Sequence, residues 1–407
     1  MSVSSRWSRA LGSLVGLSGL RASQSDQRPA YAEGRPAVYC GGEHTLLRHP
    51  KTGVVYQLGG CGLGFDHDRP KASKYVAKVP VTAAEVIIPG YYHNLLRQAD
   101  GQCFAYGCGR QAPNDGQLGK GTTDEDTTPV PIAAFETAGL GGHHTVATRE
   151  GGGVWAAGAG WQGQMGNGTL DRANPVLQTP SNLPPITRVR CGYYHTAARD
   201  QEGRWWVWGS NEQGQLGDDK KHVKKPALLP MTLSRHKIIT PVADVDGGYG
   251  HTLLLLEDGR VLTMGNHSEG QRGIDPEAED ADVPAVNEVA VDKVTAIAAG
   301  SHHNLVVVAG EVYAWGSDEF GQVSGGGPPA EDGDHRTATV TKVQGLPSAT
   351  DDPVVHISAG IAHSAAQTAS GRIFVWGCGS NGQLGDLSLP EASKVRELNP
   401  DDVARHS

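Results

Sequence analysis

An all-β fold, a β-propeller of seven blades, is what the sequence predicts, on three observations. Gly makes up 56 of the 407 residues, roughly twice the usual share of about 7%, so many tight turns are needed. A Gly-x-x-His box recurs seven times, at Gly41–His44, Gly90–His93, Gly141–His144, Gly192–His195, Gly248–His251, Gly300–His303 and Gly360–His363. Successive histidines lie 49, 51, 51, 56, 52 and 60 residues apart, the near-constant period of a repeat architecture.

Each unit then reads in the same order. The residues after the histidine form an apolar strand, as in Leu253-Leu-Leu-Leu256 or Leu305-Val-Val-Val308. A turn glycine follows at Gly53, Gly101, Gly152, Gly203, Gly259, Gly310 and Gly371. Two of these are Asp-Gly, at Asp100-Gly101 and Asp258-Gly259, a strong hairpin signal because the tight turn needs positive φ. The returning strand ends in an aromatic-x-aromatic-Gly pattern, as at Phe104–Gly107, Trp206–Gly209, Tyr313–Gly316 and Phe374–Gly377. Alternate side chains share a sheet face, so the two aromatics of each strand lie on one side, and Trp155, Trp208, Trp315 and Trp376 are expected in the core.

A Gly-Gln-hydrophobic-Gly box comes next: Gly116–Gly119, Gly163–Gly166, Gly214–Gly217 and Gly382–Gly385, with degenerate copies at Gly270-Gln-Arg-Gly273 and Gly321-Gln-Val-Ser324. A polar stretch and a short strand, such as Val294–Ala298, lead into the next Gly-x-x-His. Several strands and Gly turns per unit describe one propeller blade. A single blade cannot bury its faces, so seven must stack around a ring. The units fill the chain from residue 36 to about 400, leaving 401–407 as a tail and no room for a second domain. Ring closure is expected from the strand near Ala37–Cys40 pairing with the last blade, within residues 363–398.

The boxes, the turn glycines and the aromatic-Gly strand ends together resemble the regulator-of-chromosome-condensation repeat family. The first unit departs most, with Gly60-Cys-Gly-Leu-Gly64 in place of Gly-Gln-Leu-Gly. The resemblance implies a seven-bladed propeller that serves as a protein-interaction scaffold. In the family's mitochondrial branches the settings are ribosome biogenesis, RNA processing and respiratory-complex assembly. Its founding nuclear member implies an alternative, guanine-nucleotide exchange on a small Ran-like GTPase.

Residues 1–35 stand apart. They carry Arg6, Arg9, Arg21, Arg28 and Arg35 against Asp26 and Glu33, with no acid in the first 25. Trp7, Leu11, Leu14 and Val15 fall on one face of a short helix. Arg-rich, Ser-rich and acid-poor is the composition of a mitochondrial transit peptide, so a mitochondrial location is expected, with a secretory signal or an untargeted tail (nuclear or cytoplasmic protein) as rivals. The formal net charge of −9 argues against nucleic-acid binding through a basic surface. No run of about 18 apolar residues exists to span a membrane. The six cysteines form no Cys-x-x-Cys pair, which reads as free thiols in a reducing compartment.

Candidate chemistry is weighed against this repeat. A residue type present in every blade serves what every blade shares. His44, His93, His144, His195, His251, His303 and His363 are therefore read as hydrogen-bonding groups at blade junctions, not as metal ligands, which need three or four donors around one point. Gly158-Ala-Gly-Trp-Gln-Gly163 matches a dinucleotide motif only loosely and lacks a following helix. The positions between Gly and His carry Tyr91, Tyr92, Tyr193, Tyr194 and Tyr249 and no Trp, against the ultraviolet-sensing Trp cluster of a plant branch of the family. No catalytic, cofactor-binding or metal-ligating residue is assigned, and the chain is read as a non-enzyme. What varies between repeats carries specificity. Lys220, Lys221, Lys224 and Lys225 form a compact basic cluster, expected to meet an acidic partner. The stretch Asp275–Asp282 is acidic, and the longest insertion lies near Gly325–Asp352. Uneven charge of this kind steers protein association.

Overall fold

Each repeat folds into one four-stranded antiparallel sheet, giving seven sheets in chain order. The computed structural model describes residues 37–60, 76–107, 115–124, 126–180, 182–217, 221–229, 240–279, 285–326, 334–386 and 392–407. Blade 1 comprises β1 (Ala37–Cys40), β2 (His44–Arg48), β3 (Val55–Gly59) and β4 (Val76–Lys78). Blades 2 to 7 repeat this order over residues 84–132, 138–178, 186–228, 242–288, 294–342 and 354–398, four consecutive strands of β5–β28 in each. The candidate transit peptide, residues 108–114 before the first glutamine box, residues 61–64 of the divergent first unit and Lys220 lie outside the described residues.

Alternation dictates the strand faces. In β18 (His251–Leu256) all six residues are buried, because both faces pack on neighbouring blades. The first strands of successive blades touch in cyclic order, blade 7 against blade 1 included, and so line the axis. The tryptophans of the aromatic-Gly strands, Trp155, Trp208, Trp315 and Trp376, are all at most 1% exposed. The turn glycines Gly101 and Gly259 have φ of +86° and +87°, the conformation the hairpin requires.

Register explains why the boxes recur. In every blade the repeat histidine pairs across the hairpin with the glycine that ends the aromatic strand, for example His93 with Gly107, His195 with Gly209 and His363 with Gly377. A Cβ on Gly107 would stand 2.4 Å from the Tyr92 carbonyl oxygen, so no other residue fits there without displacing that loop.

Closure departs from expectation. β1 pairs with β2 inside its own blade, and β28 (Ala392–Leu398) completes the last sheet alone. The ring is not closed by a shared strand, since blades 1 and 7 are each complete. Side-chain and loop contacts join them instead. Cys40 N donates to Ser358 Oγ at 2.9 Å, His356 Nε2 bonds Val38 O at 3.0 Å, and Ile361 N donates to Gly42 O at 3.0 Å. Residues 401–407 are also more than a tail. Helix α1 (Pro400–Arg405) is capped by Asn399, which accepts from Asp401 N. It seats Val403 in a core cluster shared by Val38 and Leu47 of blade 1 and Ile373 and Val375 of blade 7. Asp401 reaches His49 at 3.0 Å and Lys51 at 2.9 Å, both in blade 1.

Candidate functional site

The repeat histidines form a hydrogen-bonded circuit. From each blade the imidazole Nε2 meets the residue that follows the next blade's histidine. His44 meets Asn94 (2.7 Å), His93 Thr145 (2.7 Å), His144 Thr196 (3.0 Å) and His195 Thr252 (2.9 Å). His251 meets Asn304 (2.8 Å), His303 Ser364 (2.9 Å), and His363 returns to Thr45 (3.1 Å). Thr145 and Thr252 donate their own hydroxyl protons to Gln117 O and Gln215 O, so the imidazoles facing them donate from Nε2. Six of the seven box glycines lie against their own ring; a Cβ on Gly192 would sit 2.1 Å from His195 Cε1. Burial pushes the imidazoles down, to about 4 at His44 and His251 and about 3 at the other five. They stay neutral because no charge partner offsets the lost hydration.

The glutamine boxes serve the same junctions. The Gln164, Gln271 and Gln322 carbonyls accept from the indole N–H of Trp208, Trp315 and Trp376 in the next blade at 2.8–3.0 Å. Each glutamine side chain accepts the backbone N–H two residues before it, as Gln215 does from Gln213 N at 3.0 Å. The invariant parts of the repeat are therefore occupied with assembly. Among the described residues no group of three or more His, Cys, Asp or Glu side chains is placed to hold a metal ion.

The varying positions gather elsewhere. The Gly-x-x-His loop joins a blade's first two strands, and the glutamine box follows its third, so antiparallel order puts both at one end of the ring. The box loops sit closest to the axis. There Tyr91 and Tyr92 of blade 2, His143 of blade 3, Tyr193 and Tyr194 of blade 4, Tyr249 of blade 5 and His302 of blade 6 make one aromatic cluster. Tyr193 is its hub, with ring centroids 4.4 Å from Tyr194, 4.6 Å from Tyr249 and 4.7 Å from Tyr91. Gly142 makes room for it, since a Cβ there would meet the Tyr193 ring at 2.6 Å. Trp161 extends the cluster outward, 5.5 Å from His143. Tyr249 is 41% exposed.

The cluster is polar at its edges. The Tyr193 hydroxyl donates to Tyr92 at 3.3 Å and bonds His143 Nε2 at 3.1 Å. His143 Nδ1 faces Asp115 Oδ2 at 3.6 Å, and both atoms are buried without a hydrogen-bond partner. Burial lifts Asp115 to about 6, against the pull of Arg172. Burial also raises Tyr91, Tyr193 and Tyr194 and lowers His143 and His302. At pH 7 the cluster is thus an uncharged aromatic surface over a buried carboxyl.

Of the four candidate lysines, the three described, Lys221, Lys224 and Lys225, lie at the same end but on the outer edge. Lys221 precedes β16 (His222–Leu228), the outermost strand of blade 4, and bonds Glu212 at 2.9 Å. Lys224 and Lys225 are exposed on that strand, with the Lys225 Cε beside Gly168 of blade 3. The aromatic cluster and the lysines are separate features. The tyrosines were legible as residues between Gly and His, but their union with His143 and His302 across five blades was not.

A seven-bladed propeller of regulator-type repeats, with an aromatic cluster at one end, is the class this architecture defines. The sequence profile of the RCC1-like domain matches residues 10–346, and that of the regulator of chromosome condensation (RCC1) repeat matches residues 354–383. The chain belongs to the RCC1-like family. It is 28% identical over 302 residues to the ultraviolet-B receptor UVR8 of Arabidopsis thaliana, covering 70% of this chain and 66% of the receptor. It is 31% identical over 303 residues to the protein pim1 of Schizosaccharomyces pombe, covering 63% of this chain and 54% of that protein. It is 30% identical over 265 residues to the secretion-regulating guanine nucleotide exchange factor of Bos taurus, covering 62% and 54%. The chain thus spans between half and two thirds of these relatives' lengths. Among solved structures, human WBSCR16 has the same fold with a TM-score of 0.66 at 21% identity, covering 80% and 84%. Prp20p of Saccharomyces cerevisiae gives 0.68 at 19%, covering 90% and 87%. No helix among the described residues is long and apolar enough to cross a membrane.

Proposed function

We propose that this chain is a protein-interaction scaffold that docks its partners on the Gly-x-x-His end of the ring, and that it works as a component or assembly factor of a mitochondrial complex, of the ribosome or the respiratory chain. One observation carries the docking reading: the aromatic cluster, exposed at Tyr249, and the varied loops that follow the glutamine boxes share one end of a rigid ring. Aromatic side chains supply contact area at low entropic cost and are enriched at interfaces. The mitochondrial setting is supported by the Arg-rich, acid-poor composition of residues 1–35.

A second reading, guanine-nucleotide exchange on a small Ran-like GTPase, is favoured by the identity to the bovine exchange factor. The two separate in one set of assays. Affinity purification from mitochondria is expected to recover a defined set of complex subunits, and the full chain is expected to leave GDP release from small GTPases unchanged. Accelerated release of fluorescent GDP overturns the scaffold reading. A reporter fused to residues 1–35 is expected in mitochondria; a diffuse or nuclear signal removes that setting.

A further inference from the structure

The docking reading leaves the partner's chemistry open, and the groups around the aromatic cluster narrow it. The rings run as a band across blades 3 to 6: Trp161, His143, Tyr194, Tyr249 and His302, with successive centroids 5.5, 6.3, 5.7 and 5.6 Å apart. Under its blade-3 end lies the Asp115 carboxyl, 2% exposed, with Oδ2 3.6 Å from His143 Nδ1 and without a hydrogen-bond partner. At the other end the turn after the aromatic strand of blade 5 is tied to the band, because Asn266 N donates to Gly250 O at 2.8 Å, next to Tyr249. That turn holds Glu269, whose N–H donates to Gln271 Oε1 at 2.8 Å. Burial raises Glu269 first, and Glu319 and Asp334 of blade 6 raise it further against the pull of Arg336. Glu319 is exposed, as are Asp275, Glu277 and Glu279 on the following loop.

We propose that this band receives a cationic segment of a partner protein, an extended stretch whose Arg and Lys side chains lie over Tyr194 and Tyr249 and reach the carboxylates of blades 5 and 6. The proposal rests on the docking reading and adds the partner's charge to it. A ring face attracts a cation through its quadrupole, most strongly where water is partly excluded. The carboxylates flank that face, while His143 and His302 are neutral and do not repel. Among the described residues the exposed cations at this end include Arg172 of blade 3, Lys394 of blade 7, and Lys221, Lys224 and Lys225, which sit at the outer edge of blade 4. The three lysines hold a cationic segment off that edge and steer it along the band. An acidic segment meets the opposite field at Glu269 and Glu319, while Glu277 is already paired with Arg336 at 2.6 Å.

The test is fluorescence anisotropy of the full chain with a short labelled peptide rich in Arg and Lys, beside its Glu-substituted counterpart, in about 0.15 M salt so that long-range attraction is screened. The cationic peptide is expected to bind and the acidic one not to. Tyr249→Ala is expected to weaken binding about tenfold, a magnitude consistent with one desolvated cation–π contact. Glu319→Gln is expected to weaken it several-fold and flatten its salt dependence. Glu150→Gln, in an exposed turn at the opposite end, is expected to change nothing. A thermal melt of each variant checks the fold. Binding of the acidic peptide, an unaltered affinity in Tyr249→Ala, or an equal loss in Glu150→Gln overturns the proposal. If Tyr249→Ala loses the cellular partners although the cationic peptide never bound, the partner's charge is wrong and the docking reading stands. If Tyr249→Ala keeps those partners, both fall.

Discussion

The imidazole of His363 lies 3.1 Å from the Thr45 hydroxyl, and this bond joins residues 318 positions apart. It is the seventh link of a circuit whose other six connect neighbouring blades in sequence. Closure of the ring therefore uses the same contact as every other junction and needs no exchanged strand.

The circuit makes stability depend on pH. The seven imidazoles titrate at about 3 to 4 when folded, against about 6.5 unfolded. Between those values the unfolded chain binds more protons, so stability falls as pH falls. Each histidine costs about 2 kcal/mol between pH 7 and pH 5 at 1.36 kcal/mol per unit. Urea unfolding across that range is expected to show a midpoint dropping steeply below pH 6.5 and flat above it. A midpoint constant from pH 7 to 5 contradicts the buried, neutral circuit.

The box glycine Gly192 is a steric requirement, whereas Gly250, two positions after the box glycine Gly248 of the next blade, is not. Gly192→Ala brings a Cβ to 2.1 Å from His195 Cε1 and 2.6 Å from Gly248 O, whereas a Cβ at Gly250 meets nothing nearer than 3.4 Å. Gly192→Ala is expected to cost about 1–3 kcal/mol, and Gly250→Ala less than about 1 kcal/mol. Chemical denaturation of the pair reads the difference directly; equal costs refute the steric role.

Arg272 stands where the other glutamine boxes bury Leu118, Met165, Leu216, Val323 and Leu384. It is 3% exposed, donates from Nη1 to Gly265 O at 3.3 Å, and is pushed down to about 10 by burial. Replacing a buried charge by an apolar residue of similar volume is often stabilising. Arg272→Leu is expected to raise the unfolding free energy by about 1 kcal/mol or more, seen as a higher melting temperature. A lower one means the guanidinium is a net stabiliser.

Helix α1 fastens blade 7 to blade 1. Val403→Ala is expected to cost about 1–3 kcal/mol through the cavity it leaves, and Asp401→Ala to lower the melting temperature slightly by releasing His49 and Lys51. Removing residues 399–407 is expected to exceed either. Melting that is unaffected by the truncation shows that the junction closes without the helix.

The blade count, the hairpins and the buried tryptophans were legible because each is encoded within one repeat, by turn glycines and alternation. The histidines' role followed from their recurrence alone. Closure was misread because strand pairing at the seam is chosen among residues more than 300 positions apart, and the local pattern at Ala37–Cys40 is the same for either pairing. Helix α1 has six residues, too few to form without packing, so its existence depends on the blade-1 surface it meets. The aromatic cluster was visible only as scattered tyrosines, and Asp115 stands outside the repeat boxes, one residue before Gly116. What unites them is the ring's curvature, which brings five loops to one axis.

The partner is expected on the Gly-x-x-His end of the ring. Hydroxyl-radical footprinting of the full chain, alone and with the partner recovered by affinity purification, measures this directly. The predicted result is protection of Trp161, Tyr194 and Tyr249. Protection confined to the Asp100-Gly101 and Asp258-Gly259 hairpins at the opposite end, with those aromatics still reactive, contradicts it.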